Sequence, residues 1–221
     1  MWIYLDKPEG IRSVPCLNII KKAINVKCGI WGILDEFASG LLPIATESDT
    51  KNIDKYNDQC KKQYIFTVQW GQATDTGDLT GQIIETSDHR PNQEDILKII
   101  PQFIGSITQI PPVFSNIKIN GTRAHQLARQ GVVINMPPRI VQIYSLELLE
   151  SDGHRAKFSV WVGHGTYIRS LAMDIGKTLG TCGHLIQLRR EAIEVNGSLI
   201  YPNVSMENYG WPDNIHSDKS Q

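Results

Sequence analysis

The sequence predicts an α+β fold in which a mixed, largely antiparallel sheet is flanked by helices. Stretches with strand-like and helix-like patterns are interspersed along the 221 residues, and no segment repeats. Several strands follow one another closely enough to form hairpins, which favours antiparallel pairing. Hydrophobic residues make up 41% of the chain and charged residues 20%, so we expect a globular protein with a sizeable core.

The first elements are a strand, a helix and a loop. Residues 2–5 form the predicted strand, which ends at a Pro-Gly turn. A helix is predicted over residues 14–25, with Ser13 as its N-cap and Pro15 in its first turn. The loop that follows carries Asp35. Its glycines, which let the backbone approach a ligand closely, are Gly29, Gly32 and Gly40.

The central part of the chain continues with strands and turns. Apolar and polar residues alternate over residues 64–70, which predicts a strand. The residues on its apolar face are Tyr64, Phe66, Val68 and Trp70. Residues 74–78 form a polar turn before a second strand at residues 82–86. A helix is then predicted from its N-cap, Asn92, to about residue 103.

An irregular segment separates the central part from the last strands. Residues 111–138 show no clear period apart from a short helix near residues 123–129. Strands are predicted at residues 140–149, 157–162 and 185–195.

The clearest helical pattern covers residues 166–179, with Arg169 on its polar side. The apolar face of this helix consists of Ile168, Leu171, Ala172, Ile175 and Leu179. Beyond residue 202 the patterns fade. Residues 201–221 are therefore expected to form a partly disordered C-terminal extension, with residues 213–221 frayed.

Composition argues against several classes of protein. No run of 18 apolar residues occurs, so no membrane span is predicted, and the N-terminal residues show no secretory signal. The four cysteines form no C-x-x-C pair and no cluster with zinc spacing, so we expect reduced thiols, no metal site and a cytoplasmic location. The net charge of −1 does not indicate nucleic-acid binding, although basic residues could gather on one face.

Asp35 belongs to the first of four motifs that carry the chemical interpretation. A loop carboxylate is commonly a surface acid or a helix cap, but it can also act as a covalent nucleophile, because it is ionised at neutral pH. The motifs are Gly-Ile-Leu-Asp-Glu-Phe-Ala-Ser-Gly at residues 32–40, Lys-Lys-Gln-Tyr at 61–64, Gln-Ile-Pro-Pro-Val-Phe-Ser-Asn-Ile-Lys at 109–118 and Gly-Thr-Tyr-Ile-Arg-Ser at 165–170. In this order they resemble the TruB family of tRNA pseudouridine synthases, over roughly residues 3–200.

The resemblance implies a tRNA-modifying isomerase that needs no cofactor. Its expected product is pseudouridine at the T-loop uridine, position 55 of tRNA. The reaction detaches uracil from ribose, turns the base and rejoins it through carbon 5. Asp35 would be the nucleophile, and the planar guanidinium of Arg169 would pair with its carboxylate. Tyr64 would stack on the target base, and its hydroxyl could help to remove the carbon-5 proton.

The same resemblance implies that the protein grips the T-arm of tRNA. The expected RNA-contacting residues are Tyr64, Tyr167, Leu188, Lys118, Arg129, Arg189 and Arg190. Residues 111–139 resemble an insert that closes on the RNA stem-loop, with basic side chains suited to phosphates. Residues 1–200 would form the catalytic domain, acting as a monomer and without the RNA-binding PUA domain that many relatives carry.

The segment around Asp35 departs from the family pattern at two positions. Ile30 replaces a histidine that contacts the RNA, and Glu36 replaces the proline after the nucleophile. Trp31 is expected to compensate in part by offering a stacking surface. The alternative interpretation is a protein of the same family that binds or folds tRNA with weak or no catalysis, although the three expected catalytic side chains are all retained. Attack on the base and attack on the sugar both stay open.

Overall fold

The computed structural model describes residues 1–57 and 59–210, apart from the side chains of residues 54 and 56. Its strands are β1 (Trp2–Lys7), β2 (Cys28–Ile30), β3 (Ser39–Thr46), β4 (Cys60–Trp70), β5 (Gln72–Thr74), β6 (Ile83–Thr86), β7 (Gly105–Gln109), β8 (Lys118–Ile119), β9 (Thr122–Arg123), β10 (Arg139–Ser151), β11 (Arg155–Val162), β12 (Gly183–Val195), β13 (Ser198–Ile200) and β14 (Val204–Ser205). Its α-helices are α1 (Ser13–Ile24), α2 (Gln93–Ile99), α3 (Ala124–Arg129) and α4 (Ile168–Thr178). The predicted α+β class is confirmed.

The first of two compact units consists of Met1–Gln63 and the chain from Arg189. Its strands pair in the order β14-β1-β3-β12, and β12 pairs with β4. The β1–β3 pair is antiparallel, with Leu5 opposite Leu42, whereas β1–β14 and β3–β12 are parallel. β2 and β13 add antiparallel partners to β3 and β12. The sheet is therefore mixed, as predicted.

Helix α1 packs on β1 and β3 within this unit. The core beneath it consists of Ile3, Leu5, Cys16, Ile20, Leu42, Ile44 and Met206. The helix ends at Asn25, whose left-handed backbone (φ 51°) directs its N–H to the Lys21 carbonyl at 3.0 Å. Its start differs from the prediction. Arg12 is the N-cap and has no side-chain cap bond, while Ser13 lies inside the helix and its hydroxyl bonds to Leu34 instead.

The second compact unit consists of Tyr64–Leu188. Its strands pair in the order β4-β11-β10-β7, and β10 is antiparallel to both of its neighbours. The predicted apolar face of β4 is confirmed, since its four residues Tyr64, Phe66, Val68 and Trp70 are all buried. Phe66 stacks on Phe158 of β11 with ring centroids 5.1 Å apart. β5–β6 and β8–β9 form separate two-stranded sheets.

The helices of the second unit agree with the sequence patterns in position. Helix α2 begins after Asn92, whose side chain accepts a hydrogen bond from the Asp95 N–H at 2.9 Å, and the chain continues as a 3-10 helix over Ile100–Phe103. Helix α3 confirms the short helix predicted near residues 123–129. Helix α4 also buries Arg169, contrary to the prediction that this residue lies on the polar side.

Part of the predicted C-terminal extension is regular structure. β14 and a 3-10 helix over Met206–Tyr209 lie within it, and β14 pairs with β1. The residues predicted to fray, 213–221, lie outside the described residues. In the described part of the chain, no helix is both long enough and apolar enough to cross a membrane.

Candidate active site

Asp35 lies in the loop between β2 and β3, and Ser13 holds this loop in place. The Ser13 hydroxyl donates to the Leu34 carbonyl at 2.8 Å and accepts from the Leu34 N–H at 3.0 Å. Ser13 is 2% exposed, so water competes little for these bonds. Asp35 itself is half-buried, and its carbonyl accepts a bond from the Ala38 N–H at 3.2 Å. The backbone on both sides of the carboxylate is therefore tethered.

Lys7 supports the same loop from inside the first unit. Its side chain is fully buried, and its ammonium donates to the carbonyls of Pro8, Ile11 and Glu36 at 2.8, 2.6 and 3.3 Å. Burial lowers the pKa of Lys7 to about 8, although nearby groups, Asp35 among them, act in the opposite direction. A buried positive charge thus lies close to the segment that carries the candidate nucleophile.

Arg190 holds the start of the loop. Its Nε donates to the Leu41 carbonyl at 2.6 Å and its Nη2 donates to the Gly32 carbonyl at 2.8 Å. Gly32 has a φ of +74°, and a Cβ there would lie 3.2 Å from the Arg190 guanidinium, so this close approach requires glycine. Arg190 is 1% exposed. The expectation that it contacts RNA does not fit this burial, and its geometry is that of a support for the loop.

Arg189, the preceding residue of β12, is bound to carboxylates. Its guanidinium donates to both carboxylate oxygens of Asp6, at 2.8 and 2.9 Å, and its Nε lies 3.1 Å from the Glu191 carboxylate. The hydrogen bond to Asp6 raises the pKa of Arg189 above its ordinary value. The side chain is 34% exposed. It can therefore reach a phosphate, but only in exchange for these acidic partners.

Trp31 does not offer the expected stacking surface. It is 3% exposed, its indole N–H donates to the Asn57 side chain at 2.8 Å, and its ring lies edge-on to Trp2 with centroids 5.9 Å apart. Ile30, the neighbour that it was expected to compensate for, packs against the core beneath α1. The expectation of compensation by Trp31 is wrong, because its ring belongs to the core of the first unit.

Arg169 occupies the first turn of α4 in the second unit and is 5% exposed. Its Nη1 donates to the Thr76 carbonyl and its Nη2 donates to the Phe114 carbonyl, both at 2.9 Å. Nη1 also lies 3.6 Å from a carboxylate oxygen of Asp78. Because a guanidinium carries its five N–H donors in one plane, these contacts fix the orientation of the whole group.

Asp78 is a site residue that the sequence patterns did not predict. It is 4% exposed, and its Oδ1 accepts bonds from the Thr76 hydroxyl at 2.9 Å, the Thr80 N–H at 2.9 Å and the Thr80 hydroxyl at 2.6 Å. Its Oδ2 faces Arg169. The signal in the sequence is Thr-Asp-Thr-Gly-Asp at residues 74–78, which predicts a turn and also supplies this carboxylate. Asp78 is thus an acidic partner of Arg169 within the same unit.

Tyr167 precedes α4 and is held by residues at both ends of the predicted insert. The Gln109 side chain accepts from the Tyr167 N–H at 2.8 Å and donates to the Tyr167 carbonyl at 3.1 Å. The Ser170 hydroxyl donates to the Ile110 carbonyl at 2.7 Å. The Arg139 guanidinium carbon lies 5.9 Å from the centre of the Tyr167 ring. The first turn of α4 is therefore bound to the chain segments where the insert begins and ends.

The other predicted RNA-contacting residues are buried on strands or exposed on the insert. Tyr64 on β4 and Leu188 on β12 are each 8% exposed. Lys118 on β8 and Arg129 at the end of α3 are exposed, as phosphate contacts require. The exposed basic candidates among these four residues therefore lie on the insert, and the two buried candidates lie on β4 and β12.

The structure groups part of the predicted site within each unit. The predicted residues Arg169 and Tyr167 lie in the second unit, where Asp78, which was not predicted, faces Arg169; Asp35 lies in the first unit. The pairing of Asp35 with Arg169 stays a prediction. Among the residues that the structure describes, no group of three or more His, Cys, Asp or Glu side chains is arranged to hold a metal ion.

Comparison with known proteins gives one consistent family. Residues 20–168 match the family described as TruB family pseudouridylate synthase (N terminal domain). Over 194 residues, 87% of this chain, the sequence is 47% identical to a tRNA pseudouridine synthase B from Bartonella tribocorum and 46% identical to one from Bartonella quintana. The chain spans 60% of the length of the first relative and 72% of the second.

Solved structures agree with this assignment. A Cbf5-Nop10-Gar1 complex matches with a TM-score of 0.65 and 30% identity, over 86% of this chain and 47% of the matched chain. An archaeal box H/ACA sRNP Nop10-Cbf5 complex matches with a TM-score of 0.67 and 26% identity, over 94% of this chain and 52% of the matched chain. Since the family match alone covers well over half of the sequence, this chain belongs to the TruB family of pseudouridylate synthases.

Proposed function

We propose that this protein isomerises a uridine of tRNA to pseudouridine. The observation that carries the proposal is the identity of 46–47% with two tRNA pseudouridine synthase B proteins over 87% of the chain. The proposed target is the T-loop uridine at position 55, and the proposed partner is the T-arm of tRNA. The proposed location is the cytoplasm.

Asp35 is the proposed nucleophile. The tethers at Leu34 and Ala38 restrict the backbone of its loop, which lowers the entropic cost of placing the carboxylate against a substrate. The carboxylate attacks either the uracil ring or the sugar carbon that carries the base. The bond between nitrogen and sugar breaks, the base turns, and carbon 5 bonds to the sugar. Loss of the proton from carbon 5, gain of a proton at the freed nitrogen 1 and release of Asp35 complete an isomerisation in which no atom is gained or lost overall.

Arg169 and Tyr64 assist in this proposal. Arg169 pairs with the Asp35 carboxylate and keeps it ionised and oriented, a role that suits a guanidinium already fixed by the Thr76 and Phe114 carbonyls. Tyr64 stacks on the uracil after the base has left the T-loop stack. The exposed Lys118 and Arg129 bind phosphates of the T-arm.

A matched pair of carboxylate variants tests the proposal. Asp35→Asn should abolish pseudouridine formation on an unmodified tRNA transcript while leaving the Kd for tRNA nearly unchanged, because the replacement has almost the same shape. Glu36→Gln, at the exposed neighbouring position, should react at close to the wild-type rate. Full turnover by the Asp35→Asn variant would remove Asp35 from the mechanism.

The same assay on the wild-type protein distinguishes a pseudouridine synthase from a protein that only binds tRNA. Tight binding of the transcript with no pseudouridine formed would show a tRNA-binding protein of this family. This comparison is necessary because Ile30 replaces the family histidine. The Trp31 ring is buried and cannot take over the contact of that histidine with RNA.

A further inference from the structure

We propose that Gln109 is a positioning residue for the reaction, which fixes Arg169 by binding the backbone of Tyr167, and that Arg139 is its partner on the next strand. The inference rests on the proposed function, because it concerns the arginine assigned to the nucleophile. Gln109 and Arg139 lie in the same unit as Tyr167 and Arg169.

The Gln109 side chain grips one residue at both of its backbone polar groups. Its carbonyl oxygen accepts from the Tyr167 N–H at 2.8 Å, and its amide nitrogen donates to the Tyr167 carbonyl at 3.1 Å. Gln109 is 1% exposed, so these bonds form away from water. An amide that donates and accepts in this way fits only one orientation of the peptide groups on either side of Tyr167. The side chain therefore sets the direction in which the chain enters α4.

Arg139 fixes the ring of the same tyrosine. It is the direct cross-strand neighbour of Gln109, one residue ending β7 and the other beginning β10. Its guanidinium carbon lies 5.9 Å from the centre of the Tyr167 ring, within the range of a cation–π contact. One cross-strand pair thus holds both the backbone and the side chain of Tyr167.

Arg169 is only two residues beyond Tyr167, in the first turn of α4. The Tyr167 carbonyl that Gln109 binds also accepts the first bond of this helix, from the Leu171 N–H at 3.1 Å. A change in the peptide groups at Tyr167 therefore rotates the first turn and with it the Arg169 guanidinium. Displacements of about 1 Å in a reacting group can lower a rate on the order of 100-fold.

The same pair closes the base of the insert. The chain leaves β7 after Gln109 and passes through Ile110 into the insert, residues 111–139, which ends where Arg139 begins β10. Along this stretch the Phe114 carbonyl binds Arg169 and the Ile110 carbonyl binds Ser170. The two ends of the insert and the first turn of α4 consequently form one hydrogen-bonded group, through which contact of the insert with tRNA reaches Arg169.

The test compares Gln109→Leu with Gln142→Leu in the full chain. Gln142 is a matched control, because it lies on the same β7–β10 ladder and its side chain bonds to Ser106 at 2.8 Å rather than to α4. At saturating tRNA, the single-turnover rate of Gln109→Leu should fall on the order of 100-fold while its Kd for tRNA stays within about 3-fold of the wild-type value. Gln142→Leu should keep both values within about 3-fold.

Two results would overturn the inference while leaving the proposed function in place. One is an equal rate for the two variants. The other is a lower rate of Gln109→Leu that is fully explained by a higher Kd for tRNA or by a smaller folded fraction, since a residue with a merely structural role produces that pattern. An inactive wild-type protein would instead remove the proposed function. Amide hydrogen exchange at Leu171, whose N–H makes the first bond of α4, then decides the positioning claim: faster exchange in Gln109→Leu than in Gln142→Leu supports it, and equal exchange overturns it.

Discussion

Replacing Arg190 by methionine should destabilise the first unit without weakening its attraction to RNA. The substitution removes two hydrogen bonds from a charged group, to the carbonyls of Leu41 and Gly32, and leaves both acceptors without that donor. Each such bond contributes about 1.5–3 kcal/mol, and relief of the buried charge offsets part of the loss. The expected decrease in the free energy of unfolding is about 3 kcal/mol, measured by urea denaturation.

Arg189→Met is the matched control for this experiment. Its side chain is 34% exposed, so loss of its ion pairs with Asp6 and Glu191 should cost about 1 kcal/mol or less. The dependence of tRNA affinity on salt concentration provides the second readout. Loss of a phosphate contact lowers the slope of log K against log salt by about 1, and Arg190→Met should leave the slope unchanged. A destabilisation of Arg190→Met below about 1 kcal/mol, or a slope reduced by about 1, would refute the supporting role of Arg190.

Three further substitutions test other parts of the site. Ser13→Ala should lower the free energy of unfolding by about 1–2 kcal/mol and slow pseudouridine formation, because both Leu34 bonds are lost; an unchanged rate would separate the tether from Asp35. Arg169→Lys should lower the single-turnover rate on the order of 100-fold, since an ammonium cannot reproduce the planar contacts to two carbonyls; a wild-type rate would contradict this role. Lys7→Met tests the lowered pKa of the buried ammonium through the dependence of stability on pH. Below pH 8 the folded and unfolded states both hold the Lys7 proton, so its contribution to stability is constant. Between pH 8 and 10.5 only the unfolded chain holds it, so the wild-type protein should gain up to about 3 kcal/mol relative to Lys7→Met, as urea denaturation across this range would measure. Parallel pH profiles of the two proteins would show that the Lys7 pKa is not lowered.

The sequence predicted those elements whose residues alternate or repeat clearly. The alternating burial in residues 64–70 belongs to β4, and the N-cap at Asn92 begins α2 as expected. Strand β3 has no such signal in the sequence, because all but its first residue are buried and no polar residues alternate with apolar ones. Strand β7 is also absent from the predicted elements, although it pairs with β10 and carries Gln109.

The site residues were predictable only where a motif named them. Serine is a common helix-capping residue, and nothing in the sequence around Ser13 shows that its hydroxyl binds Leu34, which is 21 positions away. Asp78 lies in a polar turn, and nothing in the sequence around it shows that its carboxylate faces Arg169, which is far away along the chain. The different roles of Arg189 and Arg190 could have been foreseen, because consecutive strand residues point to opposite faces of a sheet and cannot both face one phosphate backbone.

The most direct test of the proposed function is site-resolved mapping of pseudouridine in an unmodified tRNA transcript after incubation with the wild-type protein. The proposal predicts conversion of the T-loop uridine at position 55, with the other uridines unchanged and no added cofactor. Absence of pseudouridine from a transcript that the protein binds tightly would contradict the proposal, and conversion at another position would contradict the assignment of the T-loop.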